Sequence, residues 1–240
     1  MKAITTIFIL TAFLGYQSAH GQRYLLAETG IGTYQMGDMK RFQSDFISSS
    51  GVSLKPVVVF PAYVAWGFTV GSQQGKTTRG FALNYNATAG RADYEDYSGL
   101  ARMDQQLKCY TVRIFFGGQV NKSEKWPLSF SFSTGVVRTS MDVSSQLTVG
   151  TSTQLDHATV VSTNIAFQGA LSLRRDLAGN LFVQGSCGYE FQIAGNLREK
   201  GNSNGYLVDA NGNKVGADWS GLRIGIGIGI YPWRKEVVSK

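Results

Sequence analysis

The chain has 240 residues, 43% of them hydrophobic, and a formal charge of +7. Past residue 21 it contains no long uncharged apolar run, which excludes a membrane protein built of helices. Its basic residues lie in short segments (Lys122, Lys125, Arg174, Arg175, Arg234, Lys235) rather than in one patch interleaved with aromatics, which argues against a nucleic-acid partner.

Met1–Lys2–Ala3 is a short basic start, Ile4 to Tyr16 is mostly apolar, and Ala19–His20–Gly21 sets small residues at −3 and −1. This predicts a secretory signal over residues 1–21, cleaved before Gln22, and one exported domain over 22–240. The apolar stretch is too short to span a bilayer as a helix. No cysteine follows the cleavage site, which argues against a lipid anchor.

Eight alternating segments follow. They run near Tyr24–Tyr34, Val57–Val70, Thr78–Ala87, Gln106–Gly118, Leu128–Met141, Thr159–Leu173, Leu181–Leu197 and Ser220–Tyr231. Each is long enough to cross a membrane as a tilted strand. Long connections (Gln35–Pro56, Thr88–Gln105, Asp142–Ala158, Arg198–Trp219) alternate with short ones (Gly71–Thr77, Gln119–Pro127, Arg174–Asn180). That is the loop-and-turn pattern of outer-membrane barrels. Within the first long connection, Met39–Ile47 reads as a short helix, and the fourth reads as a mobile tip or small hairpin.

The last strand is the strongest signal: Ile224, Ile226, Ile228 and Ile230 alternate with Gly225, Gly227 and Gly229. Isoleucine wants an apolar medium, whereas glycine leaves room for bulky side chains from other strands, so this strand faces lipid and a crowded lumen. The other strands share its phase. Val64, Trp66, Phe68, Leu83, Val112, Ile114, Phe130, Phe132, Ile165 and Phe191 are outward, and Ser131, Ser133, Asn164, Gln168, Gln184 and Ser186 are inward. Tyr24, Trp126, Phe182, Tyr231 and Trp233 gather at the periplasmic ends and read as an aromatic girdle. The predicted fold is all-β: an eight-stranded antiparallel up-and-down transmembrane barrel.

Phe60–Pro61–Ala62–Tyr63, Gly90–Arg91–Ala92, Asp96–Tyr97–Ser98–Gly99 and the closing Gly-Ile strand resemble the small outer-membrane β-barrel proteins of Bacteroidetes-type bacteria. These are often labelled porin-like, with an architecture similar to the OmpA/OmpX type. The resemblance implies a location in the outer membrane and a fold, and supplies no catalytic residues.

Alternation turns Glu28, Arg113, Glu190 and Arg223 into the lumen, where unpaired charge is costly; they are predicted to pair into a structural network that closes it. Cys109 faces the lumen and Cys187 lipid, so two free thiols are expected. The one histidine past the signal, His157, has Asp156, Ser152 and Ser162 near it in sequence, yet lies at a strand rim. Asp209–Asn211–Asn213 hints at a calcium loop, but Lys214 and Ser220 occupy the glycine and glutamate positions. Asp93, Glu95, Asp96 and Asp104 with Arg91 and Arg102 read as a self-paired acidic loop. The expectation is a monomeric, non-enzymatic barrel with no cofactor or metal, in contact with outer-membrane lipid and offering long loops to a surface partner. The rival readings are a secreted lipocalin-like ligand-binding barrel and a lipid A deacylase- or acyltransferase-type enzyme.

Overall fold

The computed structural model describes residues 21–49, 55–97, 99–149, 151–177, 179–202 and 204–232. The signal segment, apart from residue 21, and Trp233, Arg234 and Lys235 lie outside the described residues. In chain order the elements are β1 (Gln22–Gly32), α1 (Gly37–Ser49), β2 (Lys55–Val59), β3 (Tyr63–Gln74), β4 (Thr77–Asp96) and β5 (Gly99–Gln119). Then come β6 (Leu128–Val149), β7 (Ser152–Asp176), β8 (Leu181–Ile193), the short β9 (Arg198–Glu199) and β10 (Gly221–Ile230). All pairings are antiparallel, and β1 pairs with both β3 and β10, which closes β1-β3-β4-β5-β6-β7-β8-β10 into a ring of eight strands.

The inside–outside phase is the one read from the sequence. Each rung can be followed across strands: Leu83, Val112, Val136 and Ile165 are successive partners on β4 to β7, and all four point outward, 53%, 51%, 54% and 49% exposed. Inward glycines make room for rings. A Cβ on Gly229 would overlap Phe182, and one on Gly71 would overlap Tyr24. Cys109 is buried and Cys187 exposed, and both thiols are free.

Two of the long connections are not loops. β4 and β5 stay paired up to Asp96↔Gly99, and β6 and β7 up to Val149↔Ser152. The ladder continues because Thr88, Ala92, Met103 and Gln105 remain buried, while the outer face carries Arg91, Asp93, Arg102 and Asp104 instead of apolar residues. Above the apolar band the outward positions are polar, and alternation read by greasiness alone fails there. The segment predicted over Val57–Val70 is broken: Phe60, at φ 42°, leaves β2 and turns its ring onto Gly90, and β2 pairs with the extension of β4. The seventh segment, predicted to Leu197, ends at Ile193.

Helix α1 is longer than the predicted Met39–Ile47, with Asp38 in its first turn. Met39, and Phe42 one turn later, face the barrel mouth. The fourth connection folds back as a small hairpin bridged Arg198↔Tyr206 and Val208↔Lys214, and Asp38 of α1 accepts the Gly216 amide at 3.2 Å. Together they lay Met36, Met39, Leu197, Val215, Ala217 and Trp219 over the mouth, packed on Leu107, Val137 and Met141 of the wall.

Candidate functional site

The lumen is stacked in three layers. The roof is the apolar cluster just described; Trp219 is fully buried, its Nε1 donates to Thr139 Oγ1 at 3.0 Å, and Tyr34 meets it edge-on at 4.9 Å. The floor is aromatic: Tyr24 and Tyr231 pack on Phe182, with Phe115 and Leu26 in the same cluster. These rings therefore fill the barrel rather than girdle it, which corrects the sequence reading. Tyr24 shares parity with Leu26 and Glu28, and Phe182 with Gln184 and Ser186, so the alternation itself places them inside. Trp126 is outward, with the Arg175 guanidinium 4.8 Å from its ring.

Arg174 locks the floor. It stacks over Phe182 at 4.3 Å and Tyr24 at 4.6 Å, and donates to Gln184, Gln73 and Tyr231 Oη. A turn residue by the sequence reading, it continues the inward series Gln168, Ala170, Ser172. Beneath it lies a cavity of about 260 Å³, at the end of the barrel that carries the short turns, lined by Gln73, Lys76, Glu124 and Asp176 among others.

The middle layer is polar. Arg113 of β5 donates to Glu190 of β8 and to Gln168 of β7, and Gln192 donates to the other oxygen of Glu190. Arg223 of β10 brings its Nε to 3.5 Å from Glu190, donates to the carbonyls of Thr33 and Trp219, and lies over the Tyr34 ring at 4.9 Å. Gly32, the register partner of Arg223 on β1, leaves space for the long side chain: a Cβ there would come within 3.2 Å of Arg223 Cδ. Two cations thus share one fully buried carboxylate. Glu28 does not join them: it accepts from Ser186 and sits against Gly225. All four predicted residues are inward, but the network is a triad of Arg113, Glu190 and Arg223 extended by Gln168 and Gln192. Sequence shows which charges face in, not which reach each other around the ring.

Between triad and floor lies a cavity of about 160 Å³ lined by Glu28, Asn84, Arg113, Gln168 and Ser186, room for a few waters. Asn84 Oδ1 and Arg113 Nε are buried without a protein partner beside it. Every charged group of this layer is held by fixed neighbours, so the arrangement braces the wall.

The remaining candidates lie outside the lumen. His157 is exposed on the outer face of β7, opposite Ser144. Asp156 accepts from Gln154, and Ser162 is turned inward to Asn164. Asp209 accepts the amides of Asn211 and Asn213 at 2.9 and 2.8 Å and the Asn213 side chain at 3.1 Å. Desolvation raises its pKa, but these hydrogen bonds outweigh that and hold the carboxyl below its ordinary value. In the β4–β5 extension Arg91 pairs with Asp104, and Arg102 with Asp93 at 3.9 Å. Among the described residues no cluster of His, Cys, Asp and Glu could hold a metal ion.

No family model and no curated protein matches the chain. Among solved structures it is similar to the crystal structure of Neisserial surface protein A, with a TM-score of 0.41, 9% identity, and coverage of 88% of this chain and 97% of that one. At that level the likeness carries no functional argument.

Proposed function

We propose that this chain is an outer-membrane β-barrel that spans the bilayer as a closed, static scaffold and presents a folded surface structure outside it, without catalysis. One observation carries this reading: a ring of large apolar side chains on the outside of a barrel whose middle is charged. Soluble monomers rarely expose contiguous apolar patches beyond a few hundred Å². The band has the right height. Leu128 to Val136 on β6 is eight steps of about 3.4 Å. A tilt of about 40° reduces that to roughly 21 Å, close to the ~25 Å apolar band of such barrels.

A lipocalin-like calyx needs the reverse arrangement, with apolar side chains inside and solvating ones outside. Here Arg113, Glu190 and Arg223 occupy the position of a calyx ligand, and Ile224, Ile226 and Ile228 are outside. The position of His157, on the outer face while Ser162 points inward, supports a non-enzymatic role. The roof, triad and floor support a lumen closed to ions. Fractionation of cells making the full chain tests the reading: the mature protein belongs in the outer-membrane fraction, and recovery in the soluble periplasm overturns it.

A further inference from the structure

The outward face of β4 to β7 can be read rung by rung above the apolar band. Over the apolar rung of Leu83, Val112, Val136 and Ile165 lies Tyr85–Tyr110–Arg138–Thr163, and over that Ala87–Lys108–Ser140–Val161. Higher still, cations come already matched with acids: Arg91 with Asp104, Arg102 with Asp93. Lys108 and Arg138 differ. Both are exposed, and among the described residues neither takes part in an ion pair. Arg138 donates once, to Thr163 Oγ1 at 2.9 Å. The nearest outward acid, Asp142, lies one rung above Lys108 and accepts from Thr159 at 2.8 Å.

Lys108 and Arg138 are diagonal neighbours on adjacent strands, with Cβ atoms about 7–8 Å apart, so two long side chains can close on one anion between them. Beside Arg138 on its own rung, and one rung below Lys108, the Tyr85 and Tyr110 rings, 5.1 Å apart, form a ledge that is apolar underneath and hydroxylated at the edge. On the opposite half of the barrel the outward residues at this end are Ile31, Val64, Phe191, Ile193 and Leu222, with no cation among them. Lys108 and Arg138 thus sit just above the apolar band, at the height where acyl chains end and headgroups begin, and their rung continues into the exposed Arg198 of β9, the register partner of Val161, whose guanidinium lies over the Tyr206 ring at 6.0 Å.

We propose that Lys108 and Arg138 form a docking site for the phosphorylated headgroup of an outer-leaflet glycolipid of the lipid A class. Arginine supplies a planar fork to two phosphate oxygens and lysine a compact charge to a third, while the acyl chains lie down the apolar rungs beneath. The site rests on the lipid-facing reading of that band. Attraction of roughly tenfold or more between two cations and an anionic headgroup is the expected scale.

The test uses the full mature chain in detergent micelles with two probes, bis-phosphorylated lipid A and the same lipid stripped of its phosphates. Wild type is expected to retain the phosphorylated form roughly tenfold more tightly. Lys108→Gln with Arg138→Gln should erase that preference, while Arg102→Gln, which removes an already paired cation, should keep it. Lys108→Gln alone removes a side chain with no ion-pair or hydrogen-bond partner among the described residues and guards against a folding defect in the double variant. A chain that inserts into phospholipid vesicles yet binds both lipids equally overturns the site alone. One that stays outside the vesicles overturns the lipid-facing reading and the site with it.

Discussion

Glu190→Gln is the sharpest perturbation of the lumen. The carboxylate is fully buried, bonded by Arg113 and Gln192, with Arg223 Nε 3.5 Å away. Neutralising it leaves two guanidinium groups in a narrow ring, while the next carboxylate, Glu28, is held by Ser186. Breaking a buried ion pair from one side costs about 3–5 kcal/mol. Urea unfolding in phospholipid vesicles, followed by tryptophan fluorescence, should report a loss of that size. Glu28→Gln, at a half-buried group outside the triad, should cost less than half as much. Adding Arg113→Met to Glu190→Gln removes one of the stranded charges, so the double variant should be more stable than the sum of the single losses by over ~1 kcal/mol. Losses that add to within about 0.5 kcal/mol, or a Glu28 variant as damaged as the Glu190 one, would refute the triad.

Trp219→Ala empties the roof and should destabilise by about 3–5 kcal/mol in the same assay. Gly229→Val drives a side chain into the Phe182 ring and should cost about 1–3 kcal/mol, whereas Ile228→Val on the apolar outer face should cost under about 1.5 kcal/mol. In planar bilayers the wild-type barrel should show no steady conductance; stable open channels would contradict a lumen closed by roof and floor. His157→Ala should leave lipid A acylation unchanged in overproducing cells, and an altered acyl profile would restore the enzyme reading.

What the sequence made legible was the phase. Because Ile224 to Ile230 alternate with glycine, and the other strands share that phase, the sequence alone separates inside from outside. The extensions of β4 to β7 were hidden for a physical reason. Beyond the apolar band their outward residues, such as Arg91 and Asp142, are polar, so greasy alternation vanishes while the hydrogen-bonded ladder continues. The aromatic floor differs from the expected girdle because Tyr24 shares the parity of Leu26 and so turns inward with it. The triad needed three dimensions, since Arg113, Glu190 and Arg223 come from β5, β8 and β10 and meet only when the ring closes.

The most direct test is a nitroxide scan of positions 128–136 on β6, one label at a time, in a cysteine-free chain folded into phospholipid vesicles. The even positions, Leu128, Phe130, Phe132, Thr134 and Val136, should show high accessibility to oxygen and low accessibility to a water-soluble nickel chelate. The odd positions should be shielded from both, giving a period of two along the strand. Even positions open to the nickel chelate, or no period at all, would contradict a barrel that turns this face to lipid.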